Sequence, residues 1–338
     1  MIFIMKLRTV ISAIIISIFF LLIPQRKIYS WGFYAHKRIN RMAVLTLPSG
    51  MIGFYKKHIE YITEHAVDPD KRRYGVEGEA ERHYIDIDHY ENFRTDSMQS
   101  VFKIVPRKWD DAVAKFTEDT LKAYGIVPWH INLMVIRLEK AFKEENFDRI
   151  LQLSAELGHY VEDAHVPLHT TENYNGQLTG QKGIHGFWES RIPEMKAEEY
   201  DYFIGRARYI ENPLDKAWDV VEDSHAAVDS VLLFEKELSN RFPADNKYAY
   251  ETRGNATIKT YSQDYTNAYD KMLNGMVERR MRESIITVGS LWYTSWVNAG
   301  KPDLSKYDNS EISEQLKEEE KNMESEFQNG KIKGKSCD

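Results

Sequence analysis

The sequence predicts an all-α protein with a single compact multi-helix domain. Apolar residues recur at three-to-four spacing, the periodicity of an amphipathic helix, in seven segments: 34–47, 50–64, 107–123, 129–144, 147–164, 214–240 and 262–298. Two-residue alternation, the pattern of a half-buried strand, is scarce and short, with its best cases near 82–87 and 100–105. With 42% hydrophobic and 12% aromatic residues the chain can bury a substantial core, and no composition shift indicates a second folded domain.

Residues 1–30 have the composition of a secretory signal peptide. Two basic side chains precede an apolar run of about fourteen residues, from Val10 to Ile23. This run is shorter than the ~20 residues that span a bilayer, so it fits a signal that is cleaved after Ser30. An uncleaved N-terminal anchor is the alternative. We therefore expect an exported protein, periplasmic or extracellular, without a stable membrane span after cleavage.

The charge and the cysteine content restrict the possible partners and ligands. Residues 1–30 carry four basic and no acidic side chains, so their removal moves the formal charge from −7 to −11. Such an acidic chain lacks the broad basic surface of a duplex-DNA-binding protein. The only cysteine, Cys337, stands next to the C-terminus, so intrachain disulfides are excluded and any metal site must use nitrogen and oxygen ligands. Residues 304–338 are strongly charged and are expected to form a flexible tail, in which Glu314 and Glu318 to Glu320 would lie on a solvated helix.

The stretch from His159 to His169 is the densest run of potential metal ligands. His159 and Asp163 are four residues apart, which places them on one face of the predicted helix 147–164, about one turn apart. Imidazole and carboxylate groups that converge in this way can hold a divalent transition metal. Taken alone, the pair could equally form a structural hydrogen bond on a partly buried helix face.

A second pair with the same spacing, His185 and Glu189, follows after an Asn- and Gly-rich loop at 170–184. Together with His169, this makes five ligands within 31 residues. Five are too many for one ordinary zinc ion, so we expect a multinuclear centre and hydrolytic chemistry. His165 is kept out of the ligand set and interpreted as a partner of the ligands.

Two upstream regions carry further potential ligands. Asp68 and His83 flank a polar, turn-rich loop, for which a solvated acidic loop is the alternative interpretation. If the signal is cleaved after Ser30, Trp31 begins the mature chain, and its free amine and carbonyl could chelate a metal beside His36. An aromatic residue and a histidine at a helix start are otherwise ordinary packing residues.

Taken together, these residues resemble the trinuclear zinc signature of one superfamily, the bacterial zinc-dependent phospholipases C and the single-strand-specific zinc nucleases. Nine positions match in order, over residues 31 to about 300: Trp31, His36, Asp68, His83, His159, Asp163, His169, His185 and Glu189. The resemblance implies an all-α phosphodiesterase domain over 31–303 that binds three zinc ions.

The resemblance also implies how these ligands are shared. The first zinc ion would be held by Asp68, His83, His159 and Asp163. The second would be held by His169, His185 and Glu189. The third would be held by the Trp31 amine and carbonyl and by His36, with Asp163 as a bridge. Asp68 is further expected to orient or deprotonate the attacking water, so that Asp68→Asn would leave a folded protein with greatly reduced turnover.

The implied activity is hydrolysis of phosphate diesters, because clustered zinc ions lower the pKa of bound water and neutralise phosphoryl oxygens. A phospholipase C-like activity is favoured by Glu189 at the last ligand position and by the short, Gly-rich loop 176–189. The alternative is a single-strand-specific nuclease of the 3'-nucleotidase type. It is supported by the spacing of Trp31 and His36 and by the fourteen residues between Asp68 and His83.

Two side chains bear on the choice of substrate. Pro69 stands where choline-preferring phospholipases have an aromatic residue, so a choline cage is not expected. Tyr84 could stack a base, with Asp86 available to hydrogen-bond it, although packing in the core is the commoner role of such a ring. A third interpretation, a non-catalytic exported zinc-binding protein, is disfavoured because none of the nine ligands is missing. No protein partner is inferred.

Overall fold

The computed structural model describes residues 32–96, 98–253, 256–307 and 309–333. Within these ranges the chain is an array of packed α-helices with a single two-stranded sheet, which confirms the predicted all-α class. The predicted signal peptide at 1–30, Trp31 and Cys337 lie outside the described residues.

The α-helices of the described residues follow one another closely. They are α1 (Phe33–Val44), α2 (Ser49–Lys57), α3 (Ile59–Glu64), α4 (Asp68–Arg72), α5 (Trp109–Phe116), α6 (Glu118–Ala123), α7 (Val127–Lys143), α8 (Phe147–Ala164), α9 (Ile184–Gly186), α10 (Ile192–Lys196), α11 (Pro213–His225), α12 (Val228–Arg241), α13 (Gln263–Leu273), α14 (Met276–Asn298) and α15 (Glu314–Asn329). A π-helical turn, Phe187–Arg191, joins α9 to α10. Each of the seven segments with helical periodicity contains one or two of these helices. Nowhere in the described ranges is a helix long and apolar enough to cross a bilayer.

Short 3₁₀ turns make most of the remaining connections. They lie at His65–Val67, Ala80–Arg82, Ile87–Phe93, Val101–Lys103, Pro167–Thr170, Ala197–Glu199, Ala244–Asn246 and Ser305–Tyr307. The first joins α3 to α4, and the fifth follows α8 and carries His169. These tight connections hold the polar segments around residues 65–83 and 167–191 against the helical core.

Helix α14 lies at the centre of the bundle and packs against α1, α7 and α8. Its Trp292 is fully buried and stacks on Tyr55, with ring centroids 5.1 Å apart. The Trp292 Nε1–H donates to the Ser154 carbonyl of α8 at 2.9 Å, so the buried indole keeps its hydrogen bond. These contacts fix α8, which carries His159 and Asp163, against the middle of the molecule.

The two strands form a hairpin beside the segment that carries His185 and Glu189. Strand β1 (Tyr248–Arg253) pairs antiparallel with β2 (Ala256–Tyr261). The Tyr261 ring stacks on Phe187 with centroids 3.9 Å apart, and the Arg191 guanidinium forms a two-pronged ion pair with Glu251. The sequence does not predict these strands, because they are rich in tyrosine and polar residues and hold only one large aliphatic side chain, Ile258.

The C-terminal segment contains a helix, as expected around residues 314–320, but this helix is packed on the molecule and is not fully solvated. Residues Glu314–Asn329 form α15. The side chain of Ser313 caps the N-terminus of this helix. Leu316 and Phe327 are each only 4% exposed, because the helix lies against α4. The apolar stripe is narrow and most of α15 is charged, so the sequence pattern does not indicate that this helix is packed.

Candidate metal centre

The second half of α8 places His159 and Asp163 inside the molecule. Every residue from Leu153 to Ala164 is buried, since neighbouring helices cover α8 on all sides. The pair is one helical turn apart, and His159 Nε2 lies 3.2 Å from Asp163 Oδ2. A buried imidazole and carboxylate therefore point at the same space.

The Asp163 carboxylate is the centre of the cluster. Its Oδ2 lies 2.8 Å from His83 Nδ1 as well as close to His159. Its Oδ1 lies 3.6 Å from His36 Nε2 and 3.8 Å from His169 Nε2. One carboxylate thus faces four imidazoles that come from α1, the 82–87 segment, α8 and the 3₁₀ turn after α8.

Three groups of side chains have the geometry to hold a metal ion. In each group the donor atoms lie within 4.8 Å of one another. The groups are His36 with Asp70 and His159, His83 with His159 and Asp163, and His169 with His185 and Glu189. The first two groups share His159, and Asp163 of the second group lies near His169 of the third. The three groups are therefore adjacent, as in a site that holds more than one metal ion.

The segment Asp68-Pro-Asp70 on α4 presents two carboxylates in opposite directions. Asp70 Oδ1 lies 3.8 Å from both His83 Nδ1 and His159 Nε2. Asp68 instead lies 2.6 Å from His65 Nδ1 and 3.3 Å from Lys71 Nζ, outside the three groups. Residues two apart on a helix are about 200° apart around its axis, so only one of the pair can face α8. The structure therefore places Asp70, and not the expected ligand Asp68, beside the histidine cluster.

The third group is built on the loop that ends at α9. Glu189 Oε2 lies 3.0 Å from His185 Nε2 and 3.2 Å from His169 Nε2. Gly183, with φ +98°, turns the chain into α9, and its N–H donates to Asn175 Oδ1 at 2.8 Å. A side chain would be strained in that conformation, so this glycine permits the turn that delivers His185.

The outer ring nitrogens of three histidines bond to backbone carbonyls. His159 Nδ1 lies 2.8 Å from the Ala66 carbonyl, and His169 Nδ1 lies 2.7 Å from the His83 carbonyl. His185 Nδ1 lies 3.2 Å from the carbonyl of Tyr174. A carbonyl can only accept, so each Nδ1 carries a proton, and in the neutral ring each Nε2 then directs its lone pair toward the cluster.

The outer ring nitrogens of the remaining two histidines face buried carboxylates. His36 Nδ1 contacts Glu162, a neighbour of Asp163 on α8, at hydrogen-bonding distance. His83 turns the other way, with Nε2 3.6 Å from Glu79 Oε1 and Nδ1 toward the cluster. Glu79 is fully buried and is itself paired with Arg82 at 2.7 Å. The sequence does not indicate either of these carboxylates as a partner of a ligand. Glu162 is 126 residues from His36, Glu79 is 4 residues from His83, and neither pair belongs to a shared motif.

The pKa values of the cluster carboxylates reflect the surrounding imidazoles. Burial raises the pKa of Asp163, but His159 and His169 outweigh burial and hold that pKa well below its usual value. His185 and His169 likewise outweigh burial and lower the pKa of Glu189. Both carboxylates are therefore ionised, as a metal ligand must be.

The remaining residues singled out in the sequence are His165, Tyr84 and Trp31. His165 lies outside the three groups, and its Nδ1 donates to the Val161 carbonyl of its own helix at 2.7 Å. Tyr84 is 8% exposed and packs in the interior. Trp31 is outside the described residues, but its neighbour Gly32 lies at the cluster, since a Cβ added there would sit 3.4 Å from Glu189 Oε1.

A scan against protein-family models finds no match for this chain, and a search of curated proteins finds no significant relative. The chemistry of the candidate centre is therefore argued from its own side chains.

Proposed function

We propose that this chain is an exported zinc-dependent phosphodiesterase whose metal centre is assembled around Asp163. The observation that carries the proposal is the single buried carboxylate that faces four imidazoles. Backbone carbonyls orient His159 and His169 from behind, and the Glu162 carboxylate orients His36. Imidazoles that converge on one buried carboxylate form a ligand set that divalent cations can use.

The donor set fits zinc. All inward donors are imidazole nitrogens and carboxylate oxygens, the ligands of catalytic zinc sites, and thiolates are excluded because Cys337 is the only cysteine. The buried Nε2 of His185 makes no hydrogen bond among the described residues, although it lies 3.0 Å from Glu189. A buried polar atom without a hydrogen bond is costly, and a metal ligand bond would remove that cost.

The residues divide among three proposed ions. The first would be held by Asp70, His83, His159 and Asp163. The second would be held by His169, His185 and Glu189. The third would be held by His36 and Asp163, completed by the Trp31 amine and carbonyl. Bound zinc would lower the pKa of a coordinated water and offset the charge of phosphoryl oxygens.

The chain's own carboxylates would then have distinct tasks. Asp70 is the most accessible of them, with a side chain 21% exposed compared with 3% for Asp163. Asp70 is thus best suited to orient the attacking water and accept its proton. Glu162 would hold the His36 ring so that Nε2 faces the cluster.

A phospholipase C-like substrate remains the favoured one. If Asp70 takes the ligand position expected of Asp68, twelve residues instead of fourteen separate it from His83, and the spacing that favoured a nuclease is lost. The burial of Tyr84 also removes that ring as a platform for a base. Glu189 and the short loop before it still support the lipase interpretation.

The experiment that tests the proposal is a substrate panel with the zinc-loaded chain that begins at Trp31. We expect hydrolysis of bis(p-nitrophenyl) phosphate and release of phosphorylated head groups from mixed phospholipids, both lost on chelation and restored by zinc. Glu189→Gln, which removes a ligand charge, should reduce both rates and the zinc content together. Exclusive release of nucleotides from single-stranded DNA or RNA would favour the nuclease. Bound zinc without turnover of any diester would favour the non-catalytic interpretation.

A further inference from the structure

We propose that the C-terminal helix α15 is a positioning element for Asp70, and thereby for the zinc ion that Asp70 would hold with His83, His159 and Asp163. The inference rests on the proposed function, since it concerns the same metal centre. It assigns a role to a segment that lies outside the nine ligand positions and that resembles a solvated tail in sequence.

Two apolar side chains anchor α15 to the molecule. Leu316 and Phe327 are eleven residues apart, or about three helical turns, and therefore lie on the same face of the helix. The Phe327 ring packs edge-on against Tyr74 with centroids 4.9 Å apart, and it lies 6.2 Å from the ring of Phe33. Phe33 is the first residue of α1, one turn before His36, so α15 contacts the helix that supplies this ligand.

Polar contacts tie α15 to the segment that carries Asp70. Glu320 Oε1 accepts from the Tyr61 hydroxyl at 2.8 Å, and Glu324 lies 3.2 Å from Lys71 Nζ. Lys71 also pairs with Asp68 at 3.3 Å. The outward carboxylate of α4 thus belongs to a charged network that faces α15, while the inward carboxylate faces the cluster.

The chain beyond α15 adds a second connection. The backbone N–H of Lys333 donates to the Arg73 carbonyl at 2.7 Å, and its Nζ donates to the Gly75 carbonyl at 2.6 Å. The Glu326 carboxylate lies directly over Gly75, since a Cβ added there would be 1.7 Å from Glu326 Oε2. The end of α4 and the turn after it are therefore held by the C-terminal segment.

Helix α4 needs such support because it has only five residues. An isolated helix of this length is far from stable in water, so tertiary contacts must set its orientation. Its inner side meets α8 and its outer side meets α15. Asp70 reaches His159 only when α4 is held from both sides.

The docking of α15 depends on few contacts. A groove of about 320 Å³ remains between α15 and the molecule, lined by Asp68, Arg72, Gln152, Glu319 and Met323 among others. The helix is therefore held near its two ends and by the Glu320 and Glu324 contacts rather than by continuous packing. Removal of Phe327 should release the C-terminal half of α15 and loosen α4.

Loss of α15 should affect some of the proposed metal ligands and not others. The contacts of α15 described above fall on α1, α3, α4 and the turn at 73–75, whereas His169, His185 and Glu189 lie on residues 167–191. Loss of α15 should weaken the zinc ion held by Asp70 and leave the ion held by His169, His185 and Glu189 intact.

The test compares metal binding by four chains that begin at Trp31. They are the intact chain, Phe327→Ala, the conservative Phe327→Leu, and Lys321→Ala as the control on the exposed face, where the side chain is 78% exposed. Bound zinc per chain is measured after equilibrium dialysis at fixed free zinc, and thermal unfolding is followed in parallel. We expect Phe327→Ala to weaken one zinc equivalent by about tenfold or more, as losses of outer support typically do. Phe327→Leu should retain most of the binding, and Lys321→Ala all of it.

The possible results separate the two proposals. No zinc on the intact chain contradicts the proposed function and this inference together. Full zinc binding by Phe327→Ala with the affinity of the intact chain overturns only the positioning role. Equal weakening of every zinc equivalent, accompanied by a large drop in the unfolding temperature, also overturns it, because α15 would then stabilise the whole fold. A chain that ends at Ser310 provides a second variant and should reproduce the selective loss.

Discussion

Single residues in this protein take their roles from the direction in which short helices point them. Asp68 and Asp70 are separated by one proline, yet one pairs with His65 and Lys71 and the other faces the histidine cluster. The sequence predicts a carboxylate ligand in this segment. It does not reveal which of the two carboxylates faces α8, because that depends on the rotation of a five-residue helix set by distant contacts.

The two carboxylates allow a matched pair of variants. We expect Asp70→Asn to lower turnover of bis(p-nitrophenyl) phosphate by about 100-fold or more, in the range for loss of a general base, and to weaken zinc binding. Asp68→Asn should fold, bind the full complement of zinc and retain most of its turnover, since it loses only an ion pair beside α15. Both are measured as kcat at saturating zinc and as zinc per chain. A greater loss for Asp68→Asn would restore the original sequence-based assignment.

His130 provides a prediction about pH at a position away from the metal centre. The side chain is in α7, its residue is 4% exposed, and its ring packs edge-on against Tyr160 at 4.4 Å. Burial lowers the pKa of His130 to about 3. In the unfolded chain a histidine has a pKa of about 6.5, so above that pH both states are neutral and His130 contributes no pH dependence. As the pH falls from about 6.5 toward about 3, only the unfolded state takes up the proton, and the folded state loses stability.

His130→Phe removes this proton uptake and keeps an aromatic ring against Tyr160. We expect the free energy of unfolding of the natural chain to fall more steeply below pH 6.5, by about 1.4 kcal/mol per pH unit relative to the variant. Urea unfolding at pH 7, 6, 5 and 4.5 measures the difference. Loss of metal from the histidine cluster affects both chains alike and cancels in the comparison. Parallel curves for the two chains would show that His130 is accessible to protons in the folded state.

At the scale of elements, the centre depends on the close crossing of α1 and α8. Gly158 lies one residue before His159, and a Cβ added there would sit 1.8 Å from Asn40 Oδ1. Asn40 Nδ2 donates to the carbonyls of Ala155 at 3.0 Å and Ile62 at 3.3 Å. This approach brings the His36 and His159 rings, one from each helix, into a stack with centroids 4.1 Å apart.

Gly158→Ala should therefore destabilise the fold by about 1–3 kcal/mol, the usual cost of overpacking, and should displace the Asn40 side chain. In an Asn40→Ala background the same change should cost much less, because the clashing atom is gone. The coupling energy from urea unfolding of the four chains measures this contact directly. Strictly additive effects would mean that α1 and α8 separate without involving Asn40.

The elements that sequence patterns predict are those with a broad apolar face. Helices such as α8 and α14 show three-to-four periodicity because one side is packed over many turns. Sequence patterns do not reveal the packing of the hairpin at 248–261 or of the helix α15. Each of these elements buries only a few rings, and it buries them against residues that are distant in sequence. Tyr261 packs on Phe187, and Phe327 packs on Tyr74, contacts that span the chain. Likewise the spacing of His159 and Asp163 predicts a pair on one face, whereas the oxygen acceptors behind the rings come from unrelated segments.

At the scale of the whole molecule, the proposed centre draws its ligands from segments spread over most of the domain. Gly32, His83, Asp163 and Glu189 meet in one place, although they lie far apart in sequence. Metal binding should therefore be coupled to global folding, since the unfolded chain cannot present these donors together. The N-terminus of the proposed mature chain takes part in this coupling, and its chemistry can be changed without altering any side chain.

An N-terminal extension is the sharpest test of that participation. The amine of a chain that begins at Trp31 has a pKa of about 8 and can lose its proton to bind zinc, whereas the amide nitrogen of an extended chain cannot act as such a ligand. Gly32 lies at the cluster, since a Cβ added there would be 3.8 Å from His36 Cδ2. We expect a chain that retains Ser30 or a short tag before Trp31 to bind one zinc ion fewer and to turn over diesters more slowly. A tag of the same sequence after Asp338 is the control and should leave the zinc content unchanged. Equal zinc content in all three chains would mean that the group around His36 is completed by side chains alone.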